Sequence, residues 1–441
     1  MKKFLYSTAR IVASLVFGAI ALPILVLMAA FPRGSSRTLI WGVTPLINNR
    51  YWSEAMRQSG WNSLTIMTQS YAINAKEDFD LYFDNFIPSW VRWQNLRRLI
   101  APYIVFGYLI RKAAVFNTSF QGGPLGQTIF WRLEAPLLRL VGIKTLVMPY
   151  GGDGYMYSRM FDPTLRHGFL LSYPEGARRE RRIRARVEYW VERADFMMCG
   201  ILVDGIGRWD VVTPSYLSID TDRWLPKQTY SDADGRKAVV RVIHTPNHRG
   251  VKGTEFLLRS IEELRAEGLK IELVLPEGVP NEQVRQLMRE ADIHAEQFLF
   301  SMYALSGIEG MATGLPVLAN LENEIYTRVF RRFAFLNECP VLSTTPETLT
   351  NNLRLLVTRP DLREELGRAG SLYVRKYHSY ESAQYLFGSI FHKLLDGENV
   401  DLMNLFNPLK SAYVKGKPII SHPLIENKLP QSYFDNANAP R

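Results

Sequence analysis

The residues best suited to chemistry lie in a short loop between an apolar strand that begins near Arg241 and an amphipathic helix. The loop carries two cations and two polar side chains: Arg249, Lys252, Asn247 and His248. A helix N-terminus presents unpaired N–H groups and the positive end of the helix dipole, and both favour bound phosphate. Gly250 and Gly253 allow the backbone to approach such a ligand closely. The loop therefore predicts a phosphate site.

A carboxylate lies one unit of secondary structure later in the chain. Glu309 stands in IEGMATGLPVL, just before a Gly-Leu-Pro turn and another apolar strand. A carboxylate in this place can accept a hydrogen bond from a sugar hydroxyl. Together with the basic loop, it predicts a binding site for a nucleotide sugar.

The stretch 239–320 resembles the donor-binding domain of retaining glycosyltransferases of family 4 (glycosyl transferases group 1). In that family an Arg and a Lys after the first strand of the second domain grip the donor diphosphate, and Arg249 and Lys252 match them. Glu309 matches the second Glu of an E-x7-E motif, which contacts the ribose, in a segment similar to EAMA-x-G-x-PV. Ser301 stands where the first Glu, which touches the transferred sugar, is expected.

The resemblance implies an α/β protein with the GT-B fold, in which two doubly wound, Rossmann-like domains face a cleft. It also implies transfer with retention of configuration, without a metal or cofactor, from a nucleotide-sugar substrate. Arg249 and Lys252 would then stabilise the leaving diphosphate. Base choice would depend on the loop after IELVL, near Glu277 and Gly278.

A glycine-rich run, 150–159, follows an apolar strand in the first half of the chain. Gly151 and Gly152 permit close approach of backbone and ligand. Asp153 is a catalytic candidate that would accept from an acceptor hydroxyl; the alternative is an Asx turn.

The segment 177–195 is too rich in arginine for its glutamates to balance, and its first half includes Arg178, Arg179, Arg181 and Arg182. The formal net charge of the chain is +10 and its pI is near 9.4. Such a charge favours an anionic partner. We expect an acidic acceptor or an anionic membrane at these arginines, with a solvated helix face as the alternative. Zinc-finger spacing and RNA-binding aromatic motifs are missing from the sequence, which argues against nucleic acid.

The run 11–31 is apolar and uncharged, and roughly 20 helical residues cross the hydrocarbon core of a bilayer. It is longer than a secretory h-region, so it predicts a single uncleaved membrane anchor. Pro23 leaves open a spanning or a re-entrant helix. We expect the body of the protein on the cytoplasmic face, with the nucleotide-sugar pool.

Alternating apolar runs and amphipathic segments predict two parallel sheets. The predicted divisions are an anchor (1–37), an acceptor-side domain (38–219), a linker (220–237), a nucleotide-sugar domain (238–375), a closing helix that crosses back to the first domain (376–400) and an extended tail (401–441). The last strand of the first domain is expected at 211–219.

Asp220 and Asp222 form a D-x-D that could bind a metal diphosphate, but such short motifs arise often by chance. Two isolated cysteines, Cys199 and Cys339, suit a reducing compartment.

These features predict a membrane-anchored glycosyltransferase with a lipid-linked or polysaccharide acceptor. Ser301 keeps open a non-catalytic GT-B protein that binds nucleotide sugar or scaffolds a polysaccharide assembly complex. A sugar epimerase with the same fold is a further alternative, although an epimerase needs no membrane substrate.

Overall fold

Two parallel sheets, each covered by helices on both faces, make up the body of the molecule. The computed structural model describes residues 2–31, 37–71, 74–198 and 204–435. The strands of the first sheet are β1 Thr38–Val43, β2 Ser63–Met67, β3 Leu81–Tyr82, β4 Ala113–Thr118, β5 Lys144–Val147 and β6 Phe196–Met197. Those of the second are β7 Val240–Ile243, β8 Ile271–Val274, β9 Ile293–Ser301, β10 Val317–Asn320 and β11 Leu342–Ser343.

The strand orders are β3-β2-β1-β4-β5-β6 and β11-β10-β9-β7-β8, with parallel pairing in the registers Ile40↔Phe116 and Val242↔Ile293. All six residues of β1 are buried, as expected for a strand that helices cover on both faces. In each sheet the chain adds strands in one direction and then in the other, and the change lies between β1 and β4 in the first sheet and between β7 and β9 in the second. Loops at the carboxyl ends of such neighbouring strands form the crevices in which open α/β sheets bind ligands.

The helices of the amino-terminal half are α1 Lys2–Ala30, α2 Ile47–Gln58, α3 Gln94–Lys112, α4 Glu134–Leu140, α5 Pro163–Ser172, α6 Pro174–Arg178 and α7 Glu180–Arg193. The later ones are α8 Arg249–Lys252, α9 Thr254–Ala266, α10 Asn281–Glu290, α11 Leu305–Ala312, α12 Glu324–Phe333, α13 Leu349–Thr358, α14 Pro360–Tyr377, α15 Tyr380–Phe391, α16 Ala412–Lys415 and α17 Ser432–Asp435.

The strand predicted at 211–219 is wrong: the segment is buried but irregular. Pro214 has no N–H to donate to a ladder. The neighbouring backbone groups bond elsewhere, since the carbonyl of Tyr216 accepts from Trp52 Nε1 at 3.0 Å and the N–H of Ile219 donates to the carbonyl of His378 at 2.9 Å. The segment therefore connects the two domains along α14 and α15. The apolar run predicted before it, 196–200, forms β6 at its start, and its last two residues lie outside the described residues.

Helix α15 lies on the first domain although it follows the second in the chain. The ring of Phe387 meets Trp41 edge-on at 5.1 Å between centroids and Trp52 at 5.8 Å. Gln384 Nε2 donates to the carbonyl of Ala55 in α2 at 2.9 Å. This helix therefore holds the two domains together.

The tail packs on the second domain. Leu402 and Phe406 are buried in its core. Asn427, also buried, donates through Nδ2 to the carbonyls of Cys339 and Val341, and its own carbonyl accepts from the N–H of Ser343 at 2.8 Å. Residues 401–435 are thus extended in part but tied along their length.

Helix α1 contains the one stretch of the described residues that is long and apolar enough to cross a membrane, Ile11–Ala30, with a mean hydropathy of 2.7. A signal sequence shares these properties. Leu25 is buried, and Met28 lies beside Gly107 of α3. Leu15, Ile20 and other side chains of the helix are exposed. The helix therefore packs one face on the first domain and leaves an apolar face uncovered.

Candidate functional site

The base of the basic loop is fixed by a buried histidine at the end of β7. His244 Nδ1 lies 2.6 Å from the carbonyl of Ala295, and Nε2 lies 2.8 Å from Thr254 Oγ1. Burial lowers the pKa of His244 to about 4, with nearby Lys252 and Arg249 adding to the effect, so the ring is neutral. These bonds tie the loop to β9 and α9.

Arg249 begins α8 at the edge of the site, with its side chain 42% exposed. Its guanidinium contacts Glu255 at 2.9 Å and Glu277, in the loop after β8, at 3.5 Å. Gly278, next to Glu277 in this loop, makes a turn with a φ of +68°, a left-handed conformation that favours glycine. The loops after β7 and β8 therefore converge, and both of the residues predicted near the base lie at this edge.

Lys252 is withdrawn from water, with its side chain only 7% exposed. Its Nζ donates to Gln297 Oε1 at 2.8 Å and lies 3.4 Å from Glu296 Oε1. Gln297 also donates to the carbonyl of Met302. Sequence reasoning missed Glu296 and Gln297, although two adjacent polar residues inside an otherwise apolar strand were a signal for them.

The Glu296 carboxylate sits at the N-terminus of α11. Its Oε1 accepts from the N–H of Ala304 and from Ser306 Oγ, both at 2.9 Å. Its Oε2 is buried without a hydrogen-bond partner in the described structure. A Cβ at Gly307 would come within 2.4 Å of that oxygen, so only glycine allows the helix to approach so closely. The carboxylate is stabilised by the helix dipole and by Lys252.

Ser301 ends β9 and is fully buried. Its hydroxyl also has no partner among the described residues. The position that the E-x7-E motif gives to a carboxylate is therefore held by a small, unpaired hydroxyl. Glu296, five residues earlier, supplies a carboxylate to the same end of the sheet.

Glu309 lies inside α11 and is buried. Asn281 Nδ2, at the start of α10, donates to its Oε1 at 3.2 Å. Burial raises the pKa of Glu309 to about 8; the charge of Glu296 adds to this, while the Asn281 bond and Lys252 oppose it. The group is therefore mostly protonated at neutral pH.

The basic loop also touches the first domain. The ring of His248 packs on Tyr173 at 4.2 Å between centroids, and the N–H of Val251 donates to Ser172 Oγ at 2.9 Å. A Cβ at Gly250 would lie 2.8 Å from Ser172 Oγ, so glycine permits this close approach. Asn247 is exposed at the tip of the loop. Gly253, with a φ of +77°, makes the turn into α9.

Asp153 organises two loops of the first domain. Its Oδ1 accepts from the N–H of Tyr150 at 2.9 Å and its Oδ2 from the N–H of Phe120 at 3.0 Å. Burial raises the pKa of Asp153 to about 6, against the lowering effect of these bonds. The carboxylate joins the loops after β4 and β5. An Asx turn would bond to the N–H two residues further on, so the bonds to Tyr150 and Phe120 do not form one. The catalytic role of Asp153 stays a prediction.

The glycines and arginines predicted for the acceptor side lie next to this aspartate. Gly151 has a φ of +129° and accepts from the N–H of Gly154. Gly152, Arg179 and Arg182 line a cavity at the carboxyl ends of β4 and β5. Arg178 pairs with Glu175 at its rim, and Arg181 is exposed. Farther off, Asp220 accepts from the N–H of Asp222 in a turn.

No protein-family model and no curated protein matches this chain. Among solved structures, sucrose-phosphate synthase from Thermosynechococcus elongatus matches 82% of this chain and 100% of its own, with 13% identity and a TM-score of 0.51. An α-glucosyltransferase in complex with UDP and a mismatched 13-mer DNA matches 82% and 100%, with 11% identity and a TM-score of 0.49. A putative UDP-N-acetylglucosamine 2-epimerase from Listeria monocytogenes matches 83% and 98%, with 10% identity and a TM-score of 0.47.

The first of these matches extends over the whole of that structure and over 82% of this chain. At 13% identity it bears on the fold and not on the reaction. Two doubly wound parallel sheets, joined by a helix that crosses back onto the first domain, are the architecture that the resemblance of residues 239–320 predicted. The protein therefore has the GT-B fold, a glycosyltransferase-like architecture.

Proposed function

We propose that this protein is a membrane-associated glycosyltransferase. It transfers a sugar from a nucleotide-diphosphate donor to a lipid-linked or polysaccharide acceptor, with retention of configuration and without a metal. One observation carries the proposal: Glu309, distant in sequence from Arg249 and Lys252, lies with them at one end of the second sheet. Asn281 and Glu277 join them there.

The two cations suit a leaving diphosphate in different ways. The ion pairs of Arg249 are half exposed and therefore weak, so a diphosphate can replace Glu255 and Glu277 as its partner. Lys252 contributes a fixed positive charge from a dry position. Preorganised charge of this kind stabilises the negative charge that develops as the sugar–phosphate bond breaks.

In the proposed reaction the bond from the anomeric carbon to the diphosphate oxygen breaks as the acceptor oxygen bonds to the same face of the sugar. The acceptor proton passes to a phosphate oxygen of the leaving nucleoside diphosphate. No carboxylate base is needed on this route. The proposal is consistent with Asp153, whose carboxylate oxygens both accept from backbone amides.

The membrane association rests on α1 and on a second segment of the first domain. That segment exposes Trp90 and Trp93, each 78% exposed, and also carries Arg92 and Arg98. Exposed tryptophans with neighbouring cations suit the boundary between headgroups and acyl chains. We place the body of the protein on the cytoplasmic face, where nucleotide sugars are made.

A second candidate, a non-catalytic protein that binds nucleotide sugar within a polysaccharide assembly complex, is favoured by one specific observation. Ser301 offers only a buried hydroxyl where the motif has a carboxylate, and Glu296 already neutralises Lys252. A protein that holds a donor without turning it over would tolerate both features.

Release of nucleoside diphosphate distinguishes the two candidates. Purified protein in detergent would be given a panel of nucleotide sugars with membrane lipid extract as acceptor. Lipid-dependent release from one donor is expected, with a loss of roughly 100-fold or more in Arg249→Ala/Lys252→Ala. The control is Arg259→Ala/Lys270→Ala, which removes the same two residue types from exposed positions of the second domain.

Donor binding without release across the panel would favour the second candidate. Failure to bind any nucleotide sugar, or equal activity of the two double variants, would contradict the proposed site.

A further inference from the structure

The arginines of α7 and of the residue before it divide between two faces. Arg179, Arg182 and Arg186 recur at spacings of three and four residues, so their side chains share one face of the helix. On the other side, Arg178 pairs with Glu175, and Arg184 lies 3.7 Å from Glu188. The sequence shows one basic block, whereas the fold separates exposed arginines that pair with neighbouring glutamates from arginines that line a cavity.

The inner face lines a cavity of about 360 Å³ in the first domain. The other walls come from the loops after β4 and β5, through Gly126, Gln127 and Gly152. The cavity therefore opens at the carboxyl ends of parallel strands, where open α/β sheets bind ligands. It belongs to the first sheet and is distinct from the donor site on the second.

Arg186 is built into the floor of this cavity and is only 8% exposed. Its guanidinium donates to the carbonyls of Gln121 at 3.0 Å and Gly126 at 2.9 Å, and it stacks over the ring of Trp131 at 4.0 Å. The buried Glu134 carboxyl lies nearby and interacts with it electrostatically. Burial lowers the pKa of Arg186 to about 10, so the group stays charged at neutral pH.

Arg179 and Arg182 complete the cationic lining. Within the described ranges neither guanidinium has an ion-pair or hydrogen-bond partner. The wall carries two acids, Asp153 and Glu175, against Arg179, Arg182 and Arg186, and Glu175 also pairs with Arg178. Positive charge is therefore in excess around the cavity, and the exposed Arg179 and Arg182 keep donors free for a ligand.

We propose that this arginine cavity binds a phosphate or diphosphate group on the acceptor. The inference rests on the proposed function, and it specifies the acceptor as a phosphorylated molecule. Guanidinium groups recognise phosphate oxygens through paired N–H donors, and three of them around one recess match a diphosphate. The same chemistry is carried by a lipid diphosphate and by a soluble sugar phosphate.

Inorganic pyrophosphate is a probe that needs neither the donor base nor the acceptor to be known. Isothermal titration of the full chain in detergent is expected to show two classes of site, one at Arg249 and Lys252 and one in the arginine cavity. Arg179→Gln/Arg182→Gln should weaken the second class roughly tenfold or more and leave the first unchanged. Arg249→Ala/Lys252→Ala should do the reverse.

The matched control is Arg184→Gln/Arg193→Gln, which removes the same charge from positions of α7 that pair with Glu188 and Glu192 and do not line the cavity. It should keep both classes of site. Equal losses in the two glutamine variants would reduce the effect to surface charge and overturn the proposal. Absence of the Arg249 class from the wild-type titration would contradict the donor site and leave the cavity standing, so the two failures are distinguishable.

Arg182→Lys provides a second test if the double variant folds poorly. It keeps the charge and loses the paired donors, so it should weaken the same class of site.

Displacement of pyrophosphate then distinguishes a lipid-linked acceptor from a soluble sugar phosphate. Farnesyl diphosphate in detergent micelles should displace it if the acceptor is lipid-linked, and glucose 1-phosphate should do so if the acceptor is a soluble sugar phosphate. Displacement by neither would overturn the assignment to an acceptor.

Discussion

Lys252 and Glu296 form a buried ion pair at the centre of the proposed donor site. Such a pair adds little net stability by itself, but removal of one partner leaves an unpaired charge in a dry environment. Lys252→Met should therefore lower the free energy of unfolding by about 3–5 kcal/mol. Lys252→Met/Glu296→Gln should recover much of that loss, because it removes the stranded charge as well.

Denaturant unfolding of the single and double variants, with Glu296→Gln as the third corner of the cycle, measures this coupling. Additive effects of the two substitutions would show that the pair is not coupled and that Glu296 serves only α11.

Glu309 should make stability depend on pH. Its pKa in the folded protein, about 8, lies above the ordinary value of 4.5, so the folded state binds the proton more tightly than the unfolded state. The contribution is fully present below pH 4.5 and is lost as the pH rises through 8. The thermal midpoint of the wild type, relative to Glu309→Gln, should therefore fall between pH 5 and pH 9. Parallel curves would contradict the raised pKa.

Some residues of the candidate donor site in the second domain could be predicted from the sequence, and others could not. Arg249, Lys252 and Glu309 could be found because the sequence places them next to strand ends and glycines. The partners that bury Lys252 could not, since Glu296 and Gln297 lie within a strand, where pairing partners depend on three-dimensional packing. For Asp153 the sequence left a catalytic role and a local turn open, and it could not show the bond to Phe120, which belongs to another loop.

At the scale of elements, α15 is the main connection between the domains. Its Phe387 packs against both Trp41 and Trp52 and is fully buried. Phe387→Ala should cost about 3–5 kcal/mol of stability through lost burial and the cavity left behind. Leu372→Ala, at a mostly exposed position of α14, should change stability little. Thermal unfolding compares the two, and similar losses would argue against this role of α15.

Most strands were predictable because continuous apolar runs between helices are typical of buried parallel sheets. The segment 211–219 shows the limit of that rule. It is as apolar as a strand and equally buried, but it is buried between domains, and Pro214 prevents regular pairing. The apolar composition of this segment indicates that it is buried. Whether it forms a strand or a linker depends on which groups its backbone N–H and C=O groups bond to.

At the scale of the molecule, the donor loop is part of the interface between the domains. A side chain at position 250 would collide with Ser172 and lie 3.0 Å from Leu171 Cβ, so Gly250→Ala should push the two domains apart at this point. Spin labels on exposed Glu192 and Leu372, one in each domain, should report longer and broader distances.

The control is Gly207→Ala, because no atom lies within 4 Å of the added Cβ. Unchanged distances in Gly250→Ala would mean that α5 and α8 yield locally without moving the domains.

The tail bears on the solubility of the whole protein. β11 is the outermost strand of its sheet, and an outer strand offers unpaired backbone groups that can recruit another copy of the chain. Asn427 occupies these groups at Ser343, Val341 and Cys339. A chain shortened at residue 400 should therefore self-associate as its concentration rises, which light scattering would detect. Residues 401–435 are therefore expected to keep this edge of the sheet from pairing with another copy of the protein.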